Sequence, residues 1–425
     1  MADLKTIAAT DLANLLNDLG ADDYGFVNIE NPAIQVDREY IDACFPKTKT
    51  LVSIVCHMNR EPVKSLKRSV ANLEFHHVGT QVDEIARNLV SKLEQQGIKA
   101  VNPAMAFPME LEDFPGRGWV VSHKLVAKEA GLGEIGIHRN LIHPKFGSFI
   151  LLGTVLIEAE VDQLSTPIDF NPCFDCKLCV AACPLGAIKS DGYFDFSSCY
   201  THNYQQFMGG FVNWVEDIAD SKSAKDYREK VSYPETVLRW QSLSYKPNYN
   251  AAYCVAVCPA GENVIGEYLN DKKQHLNEVL KPFQNKTEQI YVTKDSDAEA
   301  HVLKRFPNKK PRVVRSNGRV TNIKNFILGM KLSFQRGQSK GLNATYHFSF
   351  TGLEAQKITI KIYGGKLEVF EGHIDKPNLE GEADSIAWVK FLNKEVSLFR
   401  CLATRKIKLK GSIKLLPAFG KCFPD

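Results

Sequence analysis

The spacing of apolar residues predicts alternating helices and strands in the first part of the chain. Leucines recur at helical intervals over residues 11–20, and apolar residues do so again from Val78 to Leu93. The continuous apolar runs Leu51–Val55 and Phe149–Ile157 are typical of buried strands. Residues 1–165 are therefore expected to form a layered α/β domain.

A different pattern occupies the last part of the chain, residues 319–425. Apolar and polar residues alternate there in short segments, as in strands with one buried face. The predicted elements are a helix at Ile323–Leu332, strands at Tyr346–Phe350, Ile358–Ile362 and Leu367–Val369, a helix at Ile386–Leu392 and a strand at Ile407–Ile413. Gly364 and Gly365 fit a two-residue hairpin turn. This segment is predicted to be a small, separate α+β domain.

Polar residues dominate the stretch between these parts, from Asp271 to Gly318. It contains the basic run Asn308–Arg315, into which no aromatic residue that could stack on a base is interleaved. We interpret residues 271–318 as a solvated connecting segment, with phosphate binding by the basic run as the alternative.

Composition indicates a folded protein of two or three domains. The chain has 425 residues, of which 44% are hydrophobic and 24% charged, and this excludes wholesale disorder and fibrous repeats. A net charge of +4 over this length is too weak to indicate a nucleic-acid partner. Together with the lack of interleaved aromatic residues, it argues against nucleic-acid binding.

The longest apolar run, Phe149–Ile157, is about half of the roughly 20 residues that a membrane-spanning helix needs, so no transmembrane segment is expected. Residues 1–10 lack the features of a secretory signal, and we expect a cytoplasmic location. Eleven cysteines in such a chain are more typical of metal ligands or reduced thiols than of disulfides.

Four cysteines carry the strongest chemical signal in the sequence. Cys173, Cys176, Cys179 and Cys183, followed by Pro184, have the C-x2-C-x2-C-x3-C-P spacing of bacterial two-cluster ferredoxins. In that pattern three thiolates on one loop bind one cluster, and the fourth binds the other. A zinc site would need only four ligands, usually as two C-x2-C pairs. The run therefore predicts iron–sulfur clusters.

Cys199 and the run Cys254–Cys258 supply the complementary ligands. Cys258 would complete the first cluster, and the second would be held by Cys183, Cys199 and Cys254. Ala251 stands where a fourth thiolate is expected. Three explanations stay open: an oxygen or nitrogen ligand, a three-iron cluster, or a four-iron cluster with one open iron. The candidate non-cysteine ligands are His202, Asn248, Tyr249 and Tyr253.

The segment Gly131–Gly136 matches G-x-G-x-x-G, a dinucleotide-binding pattern. That pattern is meaningful between a strand and a helix. Here it follows a helical segment over residues 122–130, and Pro144 prevents a long helix after it. A dinucleotide site is therefore rejected, while a loop that lets the backbone approach a large cofactor stays open.

Gly131–Gly136, His138–Asn140, His143–Ser148 and the two cysteine runs together resemble the epoxyqueuosine reductase and reductive dehalogenase superfamily, over about residues 20–270. The resemblance implies a nitroreductase-like α/β domain that binds cobalamin, followed by a two-cluster ferredoxin module over residues 166–270. It also implies an electron donor of the ferredoxin or flavodoxin type, whose electrons pass through the clusters to cobalt.

The same resemblance implies which residues bind the corrinoid. Glu74-Phe75-His76 resembles the family's Asp-Tyr-His segment, and His138 with Arg139 takes the position of a loop that lines the cofactor. The implied cofactor-binding residues are Glu74, His76, Gly133, His138, Arg139 and Asn140. The alternative for Glu74 is an acid in the first turn of a helix, and for the histidines an ordinary surface position.

Glu74 and Asn102 are the candidate catalytic residues under this resemblance. Asn102 takes the position of the family's proton-donating Asp, but an amide cannot release a proton as a carboxylic acid does. Glu110, Glu112 and Asp113 follow on a longer loop and could restore an acid, although such residues are more often solvated surface charges.

The C-terminal segment resembles the sterol carrier protein type two fold through Phe350–Gly352, Gly364–Val369 and Lys408–Ile413. This resemblance implies an apolar tunnel between the sheet and the helices, and hence a hydrophobic or lipid-like ligand. The alternative is a filled core that serves only in dimerisation or docking, and a homo-oligomer is left open.

The combined hypothesis is an iron–sulfur, cobalamin-dependent reductase that acts on a small or hydrophobic substrate by reductive dehalogenation or deoxygenation. The alternative is a non-catalytic iron–sulfur electron-transfer protein with a lipid-binding domain. tRNA modification is a third hypothesis, disfavoured because basic and aromatic residues do not interleave.

Overall fold

The computed structural model describes residues 5–111, 117–316 and 318–424. The fold mixes helices and strands, which confirms the predicted α+β class. The elements up to residue 165 are β1 Thr6–Ile7, α1 Ala9–Asp18, β2 Asp23–Asn28, a 3-10 helix Pro32–Asp37, α2 Arg38–Cys44, β3 Thr50–His57, α3 Arg60–Lys64, α4 Arg68–Gln95, β4 Ala100–Val101, α5 His123–Glu129, β5 Glu134–Ile135, β6 Leu141–Ile142, β7 Ile150–Ile157 and β8 Glu160–Val161.

An antiparallel sheet forms the centre of this first part, in the strand order β2-β3-β7-β4. The long helix α4 covers the sheet with a buried stripe that includes Val82 and Leu89. Gly153 of β7 allows this close approach, because a Cβ at that position would lie 2.6 Å from Val82 Cγ1.

Helix α4 begins ten residues earlier than its apolar pattern predicts. Val70 and Leu73 in its first turns are exposed, so the amphipathic signal there is weak. Glu74 and His76 therefore lie inside the helix. The interpretation of Glu74 as a first-turn acid is wrong.

Short helices dominate residues 166–270, with the cysteine runs at their ends. They are α6 Leu178–Ala182, α7 Phe196–Asn203, α8 Gly209–Ala219, α9 Ala224–Lys230, α10 Tyr233–Ser244, α11 Tyr253–Ala256 and α12 Glu262–Asn270. Helix α11 packs on α6, which brings the two cysteine runs together although they are about seventy residues apart in sequence.

The described residues of the segment 271–318 largely form helices and strands, and this corrects the prediction of a solvated connecting segment. They form α13 Lys272–His275, a π-helix Leu276–Leu280, α14 Lys281–Asn285, β9 Gln289–Thr293, α15 Asp297–Arg305 and β10 Lys310–Val314. β9 and β10 pair in parallel around α15. The Lys309 amine is buried and lies 2.7 Å from Glu288 Oε1, and Arg315 pairs with Glu216 and Asp217 of α8. Lys309, Arg312 and Arg315 of the basic run thus pair with acidic residues, whereas Lys310 is exposed. The sequence pattern did not reveal these pairs, because the partners of Arg312 and Arg315 lie far away in the chain.

The C-terminal part contains α16 Ile323–Ser333, β11 Ala344–Thr351, β12 Gln356–Tyr363, β13 Lys366–Glu371, β14 Leu379–Asp384, α17 Ser385–Leu392, α18 Leu398–Ala403, β15 Ile407–Gly411 and α19 Leu415–Lys421. Its sheet has the order β13-β12-β11-β14-β15, with β11 and β14 parallel. Gly364 and Gly365 both have positive φ at the tight β12–β13 turn, as predicted. The structure adds β14, α18 and α19, which the alternation did not reveal. The domain boundaries themselves stay a prediction.

Among the described residues, no helix combines the length and the apolar character needed to cross a membrane.

Candidate functional site

Four of the predicted cluster ligands line one small cavity. Cys173, Cys176 and Cys179 approach it from the loop that enters α6, and Cys258 approaches from the loop after α11. Lys177 has a positive φ of 51°, which gives the tight backbone turn inside the cysteine run. These are the four cysteines that the spacing assigns to the first cluster.

The glycine-rich loop forms another wall of this cavity. The N–H of Ile137 donates a hydrogen bond to Cys173 Sγ at 3.4 Å. A Cβ at Gly136 would lie 3.4 Å from the same sulfur. Gly133 has a φ of 148°, and a Cβ there would overlap the carbonyl oxygen of Ile142. The glycines therefore close a β5–β6 hairpin against the thiols, which agrees with the rejection of a dinucleotide site.

Cys183, Cys199 and Cys254 form the second group, on three different helices or helix ends. Burial first, and then the neighbouring Cys183, raise the pKa of Cys254 to about 12. Burial also raises the pKa of Cys199, followed by the charges of Cys183 and Cys254. A cation bound between these sulfurs would stabilise their negatively charged thiolate forms.

Backbone N–H groups surround the Cys183 sulfur. Burial raises the pKa of Cys183, while N–H groups of residues 185–188 lower it. N–H groups directed at a sulfur stabilise the thiolate and are a known influence on cluster potential. The local backbone therefore suits a metal-bound thiolate.

Most candidates for the missing fourth ligand of the second cluster already contact other residues. His202 accepts the Tyr291 N–H at Nδ1, at 3.2 Å, and its Nε2 lies 3.4 Å from the Tyr253 hydroxyl. Asn248 accepts a hydrogen bond from Asn72. The ring of Tyr249 packs edge-on against Phe207. The three explanations for the missing thiolate, a non-cysteine ligand, a three-iron cluster or an open iron, stay predictions.

The donor sets of both cysteine groups consist of sulfur, the ligand atom that iron–sulfur clusters use. Within the described ranges, no three His, Cys, Asp or Glu side chains converge closely enough to hold one metal ion. Thiolates that each bind a different iron of one cluster do not need to converge on a single point. The all-sulfur donor sets, together with the N–H groups directed at them, match that chemistry.

His138 and Asn140 of the predicted corrinoid set lie beside the thiols. His138 lines the first cavity, and burial lowers its pKa to about 4. Its Nδ1 accepts the Asn140 N–H at 3.2 Å, and its Nε2 has no hydrogen-bond partner among the described residues. The amide Nδ2 of Asn140 lies 4.0 Å from Cys254 Sγ.

The other predicted corrinoid residues are less close to the thiols. Glu74 Oε1 accepts the Asn59 N–H at 2.6 Å. His76 packs against Tyr249, and burial first and Lys246 next lower its pKa. Arg139 has a φ of 65° and donates to the carbonyl of Gly192 at 3.2 Å. The described contacts do not join Glu74 to the glycine-rich loop.

Sequence reasoning missed Lys124 on α5. Its amine donates to the carbonyl of Arg139 at 2.8 Å and to Asn140 Oδ1 at 2.9 Å. The side chain is exposed, but burial of the amine by nearby protein atoms lowers its pKa. The charges of Cys254 and Cys199 act on this amine. A lysine on an amphipathic helix gives no sequence signal for such a position.

The residues considered as proton donors differ in their burial. Asn102 is half-buried directly after β4, and Glu110 is exposed. Glu112 and Asp113 lie outside the described residues. Asp83, which was not considered from the sequence, accepts the Met105 N–H at 3.1 Å, and burial raises its pKa. Asp83 is thus a half-buried acid beside the loop that follows Asn102.

Comparison with family models gives no match to this chain. Among curated proteins, the epoxyqueuosine reductase of Aliivibrio fischeri is 28% identical over 136 residues, which are 31% of this chain and 33% of that protein. That of Synechococcus sp. is 40% identical over 95 residues, 21% of this chain and 29% of that protein. The chain thus spans about a third of the length of these relatives.

Solved structures of the same kinds of protein were also found. Epoxyqueuosine reductase from Streptococcus thermophilus is 14% identical, with 69% of this chain and 97% of that chain covered and a TM-score of 0.36. A reductive dehalogenase described with B12-dependent dehalogenation is 16% identical, with 56% and 36% covered and a TM-score of 0.36. The partial sequence matches confirm the resemblance to epoxyqueuosine reductases, while the sterol carrier resemblance stays a prediction.

Proposed function

We propose that this chain is an iron–sulfur oxidoreductase that delivers single electrons to a bound acceptor. One observation carries the proposal. Seven cysteines form two groups, and one loop, residues 131–143, contacts both of them. Two clusters at these groups would supply one-electron steps. The partial sequence matches to epoxyqueuosine reductases support a reductase rather than an electron carrier alone.

The chain's own residues would stabilise the added negative charge. The N–H of Ile137 and the amide of Asn140 are directed at Cys173 and Cys254, and the Lys124 ammonium lies beside the second group. Hydrogen bonds and positive charge near cluster sulfurs favour the reduced cluster. The second group is therefore the better placed to hold the electron before transfer.

Cobalamin is the acceptor that the proposal assigns to the surface beside Lys124 and the glycine-rich loop. Arg139 and Asn140 would hold it from the glycine-rich loop, and His76 from α4. When bound, the corrinoid would supply a strongly reducing cobalt centre for removing a leaving group or an oxygen from a small or hydrophobic substrate. An electron donor of the ferredoxin or flavodoxin type and a cytoplasmic location complete the proposal.

tRNA modification is the second candidate function, because the curated relatives that match are named epoxyqueuosine reductases. One solved epoxyqueuosine reductase is described with a modified tRNA stem loop. This conflicts with the argument made above against nucleic acid. Asn102 in place of an acid is the feature that separates this chain from that activity.

The decisive experiment is anaerobic reconstitution of the full chain with iron, sulfide and hydroxocobalamin, followed by gel filtration. The proposal expects iron and about one cobalt per chain to elute with the protein. Iron without cobalt would favour the electron-transfer alternative, and neither metal would overturn the proposal. A parallel filter-binding assay with bulk tRNA tests the second function.

A further inference from the structure

An apolar cavity of about 240 Å³ lies between the C-terminal helices and α7. Met330 of α16, Phe391 of α17 and Leu416 of α19 line one side, and Phe196 and Tyr200 of α7 line the other. No residue of the C-terminal sheet is among the lining residues. The cavity is therefore shared between the C-terminal part and the helix that carries Cys199.

This cavity is not the tunnel between sheet and helices that the sterol carrier resemblance implies. Aromatic rings occupy that space: Trp388 lies 5.0 Å from Phe348 and 5.8 Å from Phe350, between ring centroids. Tyr346 likewise lies 5.0 Å from Phe419. These rings fill the space against the sheet, and the cavity is bounded by the C-terminal helices and α7.

Two hydrogen-bond donors at the cavity lack acceptors. The Nε1–H of Trp388, a residue only 1% exposed, has no partner among the described residues, nor has the buried Nε–H of Arg319. Both residues line the cavity. A buried donor without an acceptor is unfavourable, so both groups indicate a bound oxygen.

The charge of Arg319 is already compensated. Its guanidinium contacts Glu216 and donates to Asn213 Oδ1 at 3.1 Å. Arg315 nearby pairs with Glu216, Asp217 and Asp220. The two arginines thus face three carboxylates, and the cavity does not favour an anionic ligand.

We propose that this cavity binds a neutral, largely apolar small molecule that carries a hydrogen-bond-accepting oxygen. The apolar body packs against Tyr200, and the oxygen accepts from Trp388 or Arg319. Tyr200 stacks with Phe196 at 5.4 Å and is tilted against Tyr204 at 4.7 Å between ring centroids. The ligand therefore lies at one end of a row of aromatic rings along α7, the helix that also carries Cys199. The site goes beyond the proposed function, since its ligand contacts do not require a bound cluster.

The test uses the full chain and prodan, a neutral fluorophore whose carbonyl oxygen accepts hydrogen bonds and whose emission reports polarity. Gly329→Leu fills the cavity: Gly329 lines it, and a Cβ there has no neighbour within 4 Å. Gly266→Leu is the matched control, also on a helix and with open space, but outside the cavity. Gly329→Leu is expected to weaken prodan binding at least tenfold, and Gly266→Leu to leave it unchanged.

Trp388→Phe tests the hydrogen bond separately. It keeps an aromatic ring and removes the donor, so prodan should bind several-fold more weakly, while 2-(dimethylamino)naphthalene, which lacks the carbonyl, should bind unchanged. The inference is overturned if wild type fails to bind prodan. It is equally overturned if Gly329→Leu binds prodan as wild type does, or if Trp388→Phe affects both probes alike.

Discussion

The side-chain amide of Asn140 approaches the sulfur of Cys254, with 4.0 Å between Nδ2 and Sγ. Three residues earlier, the N–H of Ile137 donates to Cys173. One loop of the first domain therefore contacts both cysteine groups. The positive φ of Arg139, 65°, lets the chain turn between these two contacts.

Asn140→Leu should lower the reduction potential of the second cluster only. The substitution removes an N–H directed at Cys254, and hydrogen bonds to cluster sulfur raise the potential. We expect a fall of some tens of millivolts in an EPR-monitored redox titration. The first cluster in the same sample is the internal control, and equal shifts at both clusters would contradict the assignment.

Gly147→Ala should separate the second cysteine run from the first domain. Gly147 has a φ of 65°, and a Cβ would overlap the carbonyl oxygen of Ala260, two residues after Cys258. We expect a loss of about 3 kcal/mol or more in the free energy of unfolding and reduced iron retention.

Gly192→Ala is the control for backbone strain alone, since Gly192 has a φ of 84° and open space around its Cβ position. It should cost only about 1 kcal/mol in urea unfolding. Equal losses in the two variants would show that contact with Ala260 is unimportant.

Lys309→Met should destabilise the protein although Lys309 lies in a basic run. Its buried amine donates to Glu288, at 2.7 Å, and to the carbonyl of Phe283, at 2.8 Å. We expect the free energy of unfolding to fall by about 2 to 3 kcal/mol, because these hydrogen bonds are lost. The loss is not larger because Lys286 still pairs with Glu288 in the variant. The neighbouring exposed Lys310 supplies the control: Lys310→Met should change the free energy of unfolding by less than about 0.5 kcal/mol.

Protonation of His301 should lower the free energy of unfolding in mild acid. Burial first, and then Lys189 and Arg305, lower its pKa from 6.5 to about 4. As the pH falls below 6.5 the unfolded chain binds the proton first, so stability is lost down to about pH 4. The contribution at pH 5 is at most about 2 kcal/mol, because His301 is only half-buried and solvent screens its charge.

The measurement is urea unfolding at pH 7 and pH 5 for wild type and His301→Leu. The variant should lose less stability than wild type between the two pH values. Identical losses would mean that His301 does not titrate in this range. A larger loss in the variant would mean that protonation of His301 stabilises the fold, the opposite of the prediction.

The sequence predicted the features that depend on local spacing. The cysteine runs, the Gly364-Gly365 turn and the strand around Leu152 each follow from residues close together in the chain. These patterns need no knowledge of distant partners. Their outcome in the structure is correspondingly close to the expectation.

Features that depend on distant partners were missed. Lys309 looks like a solvated charge until Glu288 and Phe283 are placed beside it. Lys124 looks like a helix surface residue until the loop at Asn140 folds over it. The cavity beneath Tyr200 has walls from segments more than a hundred residues apart, so no local pattern could reveal it.

Iron and acid-labile sulfide analysis of anaerobically purified protein, combined with Mössbauer spectroscopy, tests the central claim most directly. The account predicts seven to eight irons per chain in about two clusters, a loss of about half of them in Cys179→Ser, and no loss in Cys401→Ser, whose buried thiol lies outside both groups. Protein that holds stoichiometric zinc instead, or iron that Cys179→Ser leaves intact, would contradict it.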